Sequence, residues 1–512
     1  MCLGMFMAIL DIQIVAAALP RIATSLHTPL DELSWVQTSY LITEVIGIAL
    51  SGRLARAAST RWLFAGASLG FVLTSLACGL SHDYVTLIVW RTLQGFCGGT
   101  IVPTVFAAGY KMFPKALHAR AILIAGALAM LAPSIGPLLG GYVAEKLAWN
   151  WVFFINIPIG LAITVIVAAV VRVDKPDRAA WRTVDALAFV ALAICLASLQ
   201  TLLKVAPEDH WAAARDYALL VGTVAAGALA VRRCLNTHEA LVDFAPLRTF
   251  GFSIACGYNF VLGIGLYGSI YLLPLFLGFV RFHTPLEIGE IMTVMGASQL
   301  IAAPLATFAD RRLSAHWVVA IGFGLFAAGS FANAFQTPTT DFTGLIVPQV
   351  LRGAALLFCI LPITNVALDE LPPQALSNAS GLLNFTRNVG GAIGIGIVDT
   401  IVNVRPPDIA TRVLNELVRG KAATAAFVGV PKDLLAGVNI AHADPGDMTF
   451  VKPIIARAAA TIAFNEAWMV IGGLFVLSFV LVPFLRRAPR GHAHESESIL
   501  ERLAHDVPSA IP

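Results

Sequence analysis

The sequence predicts an all-α polytopic membrane protein with fourteen transmembrane helices, arranged as two six-helix halves with two further helices inserted between them. Its composition, its number of apolar stretches and an internal repeat support this fold class. Hydrophobic residues make up 58% and charged residues 13% of the 512 residues, and the mean hydropathy is +0.79. Because a soluble domain of this size could not keep so much apolar surface from water, the composition excludes a soluble protein.

Stretches of about 17–25 apolar residues are long enough to cross a bilayer as helices. Fourteen such stretches lie at about 1–19, 36–52, 62–80, 85–109, 119–142, 151–171, 184–203, 216–231, 252–280, 288–308, 316–335, 343–368, 377–404 and 467–485. The first stretch has neither a basic start nor a cleavage site for a signal peptidase, so we expect the protein to retain it. Because it begins without a polar lead, we also expect a short basic segment to precede it.

The basic residues predict how the helices are oriented. Connections 2–3, 4–5, 6–7, 8–9 and 10–11 carry most of them, namely Arg53, Arg56, Arg61, Lys111, Lys115, Arg120, Arg172, Lys175, Arg178, Arg182, Arg232, Arg233, Arg248, Arg311 and Arg312. The opposite short connections carry only Arg21, Lys146, Lys204, Arg215 and Arg281. Because Lys and Arg accumulate in cytoplasmic loops, we predict a protein of the inner (cytoplasmic) membrane with both termini in the cytoplasm. The 12–13 connection has no basic residue and is the exception.

The chain divides into segments around these helices. They are an N-terminal half (1–171), two inserted helices with linkers (172–250), helices 9–13 (251–404), an external loop (405–466), helix 14 (467–487) and a cytoplasmic tail (488–512). Within the external loop, residues 408–427 mix apolar and charged residues at helical spacing. This stretch is either a solvated loop with some helix or an interfacial element on which a partner docks.

An internal repeat relates the two halves. Helix 4 contains Arg91-Thr-Leu-Gln94-Gly95, helix 12 contains Gln349-Val-Leu-Arg352-Gly353, and a proline follows each motif. The glycine run of helix 5 returns in helix 13 as Gly390–Gly396. Such parallel repeats predict a substrate site at the membrane midplane, between the halves.

Helix 5 has small residues at every fourth position, together with two prolines. Ala132, Gly136 and Gly140 lie on one helical face, so that another helix can approach closely. Pro133 and Pro137 remove backbone hydrogen bonds and favour a bend. The segment is either a hinge or gate, or one more packing face of a kind common in membrane helices.

Ionisable residues in the middle of apolar helices are the candidate functional residues. Asp11, Glu44 and Arg91 lie in helices 1, 2 and 4, and Arg387 lies beside Asn388 in helix 13. Each charge costs roughly 2.5–3.5 kcal/mol at mid-membrane, so it requires a partner, water or a function. They form either structural ion pairs or sites for protons and for the charge of a substrate.

The functional interpretation gives each charged residue a role. A carboxyl group in an apolar cavity favours its neutral form, so Asp11 and Glu44 are candidates to carry a proton. Arg91 stays charged and is a fixed counter-charge. Arg387 is either a similar counter-charge in the second half or, with its neighbour Asn388, a purely hydrogen-bonding group. The candidates for contact with a substrate or its charge are Arg387, Asn388 and Gln94. The aromatic and amide residues suited to lining a cavity are Trp35, Tyr40, Phe106, Tyr258, Asn259, Tyr267, Tyr271 and Gln299.

Four motifs in order resemble those of the major facilitator superfamily, in particular its fourteen-helix drug:proton antiporters of the EmrB/QacA type. They are Leu10-Asp11-x-x-Ile14-Val15-x-x-Ala18-Leu19-Pro20, Arg91-x-x-Gln94-Gly95, Gly136-Pro137-Leu-Leu-Gly140-Gly141, and the helix 6 start from Trp149 to Gly160. The resemblance covers nearly the whole chain. It implies a proton-coupling role for Asp11 and Arg91, and a conformational role for Gly136, Pro137, Gly140 and Gly141.

The two gating loops of this family are only partly matched. After Gly52 and Arg53 the chain has Arg56 where the family usually has an acid, which puts the charge lock of the first half in doubt. The corresponding segment of the second half, Asp310 and Arg311, keeps the acid.

The sequence therefore predicts an exporter of amphipathic drugs or toxic organic compounds that uses a proton gradient and no cofactor. In a host with two membranes, the resemblance also implies a periplasmic adaptor protein and an outer-membrane channel as partners. A dedicated exporter of one metabolite is the alternative with the same fold, and the helix 5 motif argues against an uptake carrier. The chain lacks the sequence motifs of a membrane enzyme or a channel, and its seven single cysteines form no disulfide or metal-binding pattern.

Overall fold

The computed structural model describes residues 1–114, 117–177, 185–207, 211–236, 244–369, 371, 376–431 and 445–484. Within these residues every regular element is helical. The α-helices are α1 (Cys2–Ser25), α2 (Trp35–Ala58), α3 (Thr60–Gly79), α4 (Tyr84–Met112), α5 (His118–Lys146), α6 (Trp151–Phe154), α7 (Asn156–Val170), α8 (Ala186–Val205), α9 (Ala214–Asn236), α10 (Phe250–Leu275), α11 (Pro285–Arg312), α12 (Ala315–Asn333), α13 (Phe342–Asp369), α14 (Leu376–Val404), α15 (Pro406–Val418), α16 (Ala422–Val428) and α17 (Pro445–Leu477). A π-helical turn extends α10 over Phe276–Val280, and 3-10 turns cover Ala245–Arg248 and Ser478–Phe484.

Each of the fourteen predicted spans coincides with a helix, which confirms the predicted fold class. The sixth span is broken at Ile155 into α6 and α7. Pro158 explains the break, because it has no N–H to donate to the carbonyl of Phe154. Predicted spans 7 to 13 are α8 to α14, and span 14 is α17.

Length and hydropathy alone would qualify twelve of the described helices to cross a membrane. The two predicted spans that fall short are α2 and α14, which carry Glu44 and Arg387. These two helices pack against each other across the boundary between the halves. The chain is therefore a multi-pass membrane protein whose most polar spans lie at its central interface.

The packing of helices follows the sequence repeat. In the first half α1 packs on α5, α2 on α4 and α3 on α7; in the second, α10 packs on α14, α11 on α13 and α12 on α17. The halves meet through two equivalent pairs, α5 with α11 and α14 with α2. The inserted helices α8 and α9 pack on each other, and α8 borders α2 and α14.

Glycines on α5 and α14 allow the same close approach in both halves. A Cβ atom at Gly140 would lie 2.5 Å from the carbonyl oxygen of Ile14 on α1, and one at Gly394 would lie 2.6 Å from that of Ile264 on α10. Gly136 also faces α1, through Gln13. Any side chain at these positions would push the paired helices apart.

Gly141 and Pro137 of the same motif face the other half. A Cβ atom at Gly141 would collide with the backbone of Pro285 at the start of α11, and one at Gly289 of α11 would collide with the carbonyl group of Pro137. The motif on α5 is therefore in contact with both α1 and α11. Its role in a conformational change remains a prediction.

Most of the described part of residues 405–466, the segment predicted as an external loop, is helical. It holds α15, α16 and the first part of α17, which begins at Pro445 rather than near 467. Charges such as Lys452 and Arg457 had lowered the local hydropathy and hidden this extension. The single helix expected over 408–427 is two helices, divided by Gly420 at a φ of +71°.

The helices outside the predicted spans form a small domain with a core of its own, which we call the cap. Ile409, Val413 and Leu417 of α15 are buried in one apolar cluster with Ile455 and other residues of α17. The amphipathic spacing noted in the sequence therefore serves to pack α15 onto α17. The predicted tail 488–512 lies outside the described residues.

Candidate functional site

The first group of candidate residues is an ion pair buried inside the first half. Arg91 of α4 donates from Nη1 to Oδ2 of Asp11 on α1 at 2.6 Å, and neither residue is exposed at all. Arg91 also donates from Nη1 to Oε1 of Gln94 at 2.8 Å and from Nε to the carbonyl oxygen of Val36 at 3.1 Å. A buried pair of this kind persists only when further hydrogen bonds satisfy both charges.

Polar side chains from other helices complete the network around Asp11. Asn156, at the start of α7, donates to Oδ1 of Asp11 at 2.7 Å, and Gln94 donates to the same atom at 3.2 Å. Ser75 of α3 accepts from Gln94 at 2.7 Å. Sequence reasoning missed Asn156 and Ser75, although Asn156 lies in the helix 6 signature.

Aromatic rings cover the guanidinium group of Arg91. Its central carbon lies 4.3 Å from the ring centre of Tyr40 and 5.8 Å from that of Phe153. Cation–π contacts in such a desolvated place are worth about 2 kcal/mol or more. The cluster therefore ties α1, α2, α3, α4, α6 and α7 together.

A cavity of about 390 Å³ lies between the two halves, and Asp11, Arg91 and Gln94 do not line it. Glu44, Arg387 and Asn388 do line it, as does Pro137 of the helix 5 motif. Of the predicted aromatic and amide residues, the cavity is lined by Phe106, Asn259, Tyr267 and Gln299, whereas Trp35, Tyr40, Tyr258 and Tyr271 lie elsewhere. Most other lining residues are apolar, as in sites that bind amphipathic molecules.

Glu44 is the acid of the cavity and faces the opposite half. Its side chain is directed at Arg387 and Asn388 of α14. Asn388 in turn accepts a hydrogen bond from the hydroxyl of Tyr267 at 3.1 Å, and Arg387 donates to Asn384. One carboxylate oxygen of Glu44, Oε2, is buried without a hydrogen-bond partner. The structure therefore brings three predicted residues together at the interface of α2 and α14.

Arg352 on α13 lines the same cavity and was not among the predicted site residues. It is 1% exposed, and it donates from Nη2 to Oε1 of Gln349. Trp468 of α17 covers one face of its guanidinium group, with the ring centre 4.3 Å from the central carbon. The sequence could have indicated Arg352, because the internal repeat contains an intramembrane arginine in each half.

The cavity is closed toward the predicted external side by two equivalent contacts. Asp399 of α14 accepts from Ser34, the residue that precedes α2, at 2.8 Å, and from the hydroxyl of Tyr271 at 2.6 Å. Glu145 of α5 accepts from the backbone N–H of Leu286 in the first turn of α11, at 3.1 Å. In both cases a carboxylate near the end of one helix holds the start of a helix of the other half.

Toward the predicted cytoplasmic side the cavity reaches much further. Its lining includes Met5 near the start of α1, Gly126 in the first part of α5, Leu368 at the end of α13 and Ser380 in the first part of α14. All four belong to helix ends on the side of the basic connections. The cavity is therefore closed at one end and extended toward the other, which in the predicted orientation is the cytoplasmic end.

The predicted gating residues lie at that side of the protein. Asp310 near the end of α11 accepts from Asn365 of α13 at 2.9 Å. Arg53 is 4% exposed, whereas Gly52 and Arg311 are exposed. A Cβ atom at Gly52 would meet open space, so packing does not require a glycine there.

The loop of the first half, which lacks the acid usual in the family, is contacted by an acid from elsewhere in the chain. Asp174, which follows α7, accepts from the backbone N–H of Thr60 at 2.8 Å and from Nζ of Lys111 at 2.8 Å. Partial burial opposes ionisation of Asp174, but the hydrogen bonds from Lys111 and Thr60 hold its pKa below the usual value. The connection between α2 and α3 is thus anchored to the end of α4 by a residue from a distant segment.

Comparison with known proteins matches residues 1–395 to the model of the Major Facilitator Superfamily. The chain is 32% identical over 401 residues to the "Colistin resistance protein EmrB" of Acinetobacter baumannii, and the match covers 78% of each protein. It is 31% identical over 402 residues to the "Multidrug export protein EmrB" of Escherichia coli K12, again over 78% of each.

Solved structures share the fold at much lower identity. A crystal structure of a peptide transporter, POT, in complex with sulfate matches 95% of each chain with a TM-score of 0.61 and 13% identity. An inward-facing, unoccupied bacterial homologue of the human lysosomal transporter Spinster matches 95% of this chain and 97% of the other, with a TM-score of 0.56 and 14% identity.

Proposed function

The chain belongs to the Major Facilitator Superfamily, and on that premise we propose that it exports amphipathic drugs or toxic organic compounds by alternating access, driven by inward proton flow. The observation that carries the proposal is the cavity of about 390 Å³ between the halves. It is mostly apolar with a few convergent polar groups, and it is closed at one side and extended toward the other. Relatives named for multidrug export and for colistin resistance support the same function.

Glu44 is the residue we propose to exchange its proton with the cavity. Its carboxyl group lines the cavity and faces Arg387 and Asn388 of the other half. An ionised Glu44 attracts Arg387, whereas a protonated Glu44 does not, because only the charged form interacts by Coulomb attraction. Protonation would therefore change the contact between α2 and α14, which must alter when the transporter changes its open side.

Asp11 and Arg91 contribute to coupling in a different way in this proposal. Both are sealed from the cavity in this state, so Asp11 gains a proton only after the surrounding helices have rearranged. Arg91 then acts as the fixed counter-charge with which Asp11 pairs in the inward-facing state. The ion pair of Asp11 with Arg91 is therefore characteristic of this conformation, in which Glu44 is accessible from the cavity.

A susceptibility panel in an efflux-deficient host, combined with dye transport in proteoliposomes under a pH gradient, tests the proposal. The proteins compared are the wild type, Asp11→Asn, Glu44→Gln, Arg91→Ala and, as a control on the lipid-exposed face of α11, Thr307→Ala. We expect the wild type and Thr307→Ala to protect cells and to move dye, and the three site variants to lose the pH-driven component.

Two results would contradict parts of this proposal. If the wild type protected against no compound and moved no dye, multidrug export would be excluded. If Glu44→Gln kept full pH-driven transport, Glu44 would be a structural residue, and proton coupling would have to rest on Asp11 and Arg91 alone.

We also propose that the protein lies in the cytoplasmic membrane with both termini inside and the cap outside, where it meets a periplasmic adaptor. The distribution of basic residues supports this orientation. The separate core of the cap supports a role as a docking domain. Reporter fusions after residues 431 and 484 test the orientation, and a fusion at 431 that is active only in the cytoplasm would contradict it.

A further inference from the structure

The guanidinium group of Arg352 is buried without a counter-charge. Among the described residues, Arg352 has no carboxylate within ion-pair distance, and its Nε and Nη1 atoms are buried and donate no hydrogen bond. Its hydrogen bond from Nη2 goes to Gln349, which is a neutral amide. A buried, uncompensated charge costs several kcal/mol, so this arrangement is expected only where a ligand completes it.

The charge balance of the cavity favours an anion as that ligand. Among the described lining residues the charged side chains are Glu44, Arg352 and Arg387. Glu44 faces Arg387, which leaves the charge of Arg352 in excess. A cation placed near Arg352 would meet a like charge in a desolvated site, which costs free energy.

The unused hydrogen-bond donors around Arg352 point to the same conclusion. Besides Nε and Nη1 of Arg352, the Nε2 group of Gln349 is buried without a partner, and both residues line the cavity. Trp468 does not line it and supports the guanidinium group from behind. Unused donors on two adjacent turns of α13 therefore belong to residues that line the cavity, and the oxygens of a carboxylate or a similar acid would accept from them.

Apolar side chains adjoin these donors. Leu356 and Ile360 of α13 and Met295 of α11 also line the cavity. A ligand with an anionic head at Arg352 would place its apolar body against this surface.

We propose that Arg352 and Gln349 form a binding site for the anionic group of an amphipathic organic acid, which makes such acids a substrate class of this transporter. The inference rests on the proposed export function and specifies which compounds the cavity prefers. It assigns recognition of the anion to Arg352, and it leaves Glu44 at the other side of the cavity free to exchange protons.

Three matched fluorescent probes test the site in the full chain, purified into nanodiscs. They are 1-pyrenebutyrate, 1-pyrenebutanol and a pyrenebutyl trimethylammonium salt, which share one apolar body and differ in charge. Binding is followed by fluorescence anisotropy for the wild type, Arg352→Gln, Arg352→Lys, Arg387→Gln and, as a control that removes an exposed charge of the cap, Arg419→Gln.

We expect the wild type and Arg419→Gln to bind the butyrate about tenfold or more tightly than the alcohol, as charge-assisted hydrogen bonds require. Arg352→Gln should lose most of this preference, while its affinity for the alcohol stays unchanged. Arg352→Lys keeps the charge but loses the planar set of donors, so it should keep only part of the preference.

The proposal is overturned if the wild type shows no preference for the carboxylate, or if the preference survives in Arg352→Gln. A preference that depends on Arg387 alone would place the anion elsewhere and would also overturn it. If Arg352→Gln does not fold, an unchanged preference in Arg352→Lys contradicts the role of the guanidinium group.

Export of the three probes under a pH gradient separates this proposal from the proposed export function. If the neutral or cationic probe is exported without any preference for the carboxylate, only the anion site is contradicted. If none of the probes is exported, the export function is contradicted.

Discussion

Two intramembrane arginines, Arg91 and Arg352, occupy related places in the two halves and differ in almost every contact. Each bonds a glutamine one turn away on its own helix and is covered by an aromatic ring. Arg91 is paired with Asp11 and sealed from the cavity, whereas Arg352 lines the cavity and has no ion pair among the described residues. The same sequence signal, an arginine in an apolar helix, therefore serves two different purposes.

The order of two residues accounts for part of this difference. A Cβ atom at Gly95 would contact Thr43 of α2, and one at Gly353 would contact Ser298 of α11, so these two glycines are equivalent in the packing. Arginine precedes glutamine before Gly95, and glutamine precedes arginine before Gly353. Arg352 therefore stands where the first half has Gln94, one turn along the helix from the place of Arg91.

The lack of an acid at the positions of the second half that correspond to Asp11 and Glu44 accounts for the rest. Because Gly140 and Gly394 pack on Ile14 and Ile264 in the same way, the position of Asp11 corresponds to that of Val261. Likewise Glu44 follows Thr43, and the neutral Gln299 follows Ser298. The acidic residues near the membrane midplane, Asp11 and Glu44, thus belong to the first half. The second half contributes the positively charged residues Arg352 and Arg387 to the cavity.

Replacement of each arginine by methionine should give the largest contrast between the halves. Arg91→Met leaves Asp11 buried and uncompensated, which typically costs about 3–5 kcal/mol. Arg352→Met breaks no ion pair and should be neutral or stabilising. Thermal unfolding in detergent measures both, and the double variant Asp11→Asn with Arg91→Met should recover much of the loss. Equal destabilisation by the two single variants would refute the contrast.

Alanine at the equivalent glycines Gly140 and Gly394 tests whether the halves pack alike. Each new methyl group would strike a carbonyl group of the paired helix, and overpacking of this kind costs about 1–3 kcal/mol. Gly66→Ala is the control, because its methyl group would meet open space. We expect similar losses at the first two sites and none at the third in thermal unfolding. A loss confined to one half would show that the symmetry of packing is only apparent.

The two carboxylate contacts at the predicted external side should contribute unequally to closure of the cavity. Asp399 is 3% exposed and bonds the side chain of Ser34, whereas the side chain of Glu145 is 25% exposed. Ser34→Ala removes one buried hydrogen bond worth about 0.5–1.5 kcal/mol and should increase the outward-open population more than Glu145→Gln does. Distances between spin labels at the outer ends of α2 and α14 report it, with Thr307→Ala as the matched hydroxyl control. An unchanged distribution in Ser34→Ala would exclude this contact from closure.

The ion pair of Glu416 with Lys421 in the cap should have the smallest effect on stability. It is the solvated counterpart of the buried pair of Arg91 with Asp11. Hydrogen bonds from Lys421 and Thr424 lower the pKa of Glu416 in the cap. A lowered folded-state pKa adds stability above the unfolded value of about 4.3, and this stability is lost as the pH falls below it. Because Glu416 is solvated, the effect is small. The hydrogen-exchange protection factors of residues 406–431, which correct for the intrinsic exchange rate at each pH, should be slightly lower at pH 4 than at pH 6. Glu416→Gln should remove this difference, and an unchanged difference in the variant would contradict the prediction.

The sequence by itself determined the number and places of the membrane helices, the repeat that relates the halves, and the family. These features depend on apolar length and on local motifs, which the bilayer imposes on any chain that crosses it. It also identified Asp11, Glu44, Arg91 and Arg387 as exceptional, because a charge at mid-membrane stands out against its neighbours. Its failures were local as well: charges near Lys452 hid the extension of α17, and the break at Ile155 went unnoticed.

Only the tertiary structure decided which of these residues share a site. It enclosed Asp11 and Arg91 with Asn156 and Ser75, placed Glu44 opposite Arg387, and left Arg352 facing the cavity. It also showed that Asp174 joins the connection between α2 and α3 to the end of α4. Spacing along one helix fixes the face on which a side chain lies, but the partner of that face belongs to another helix far away in the chain. The packing of helices, and with it the separation of a sealed ion pair from an accessible cavity, therefore arises only when all the helices are assembled.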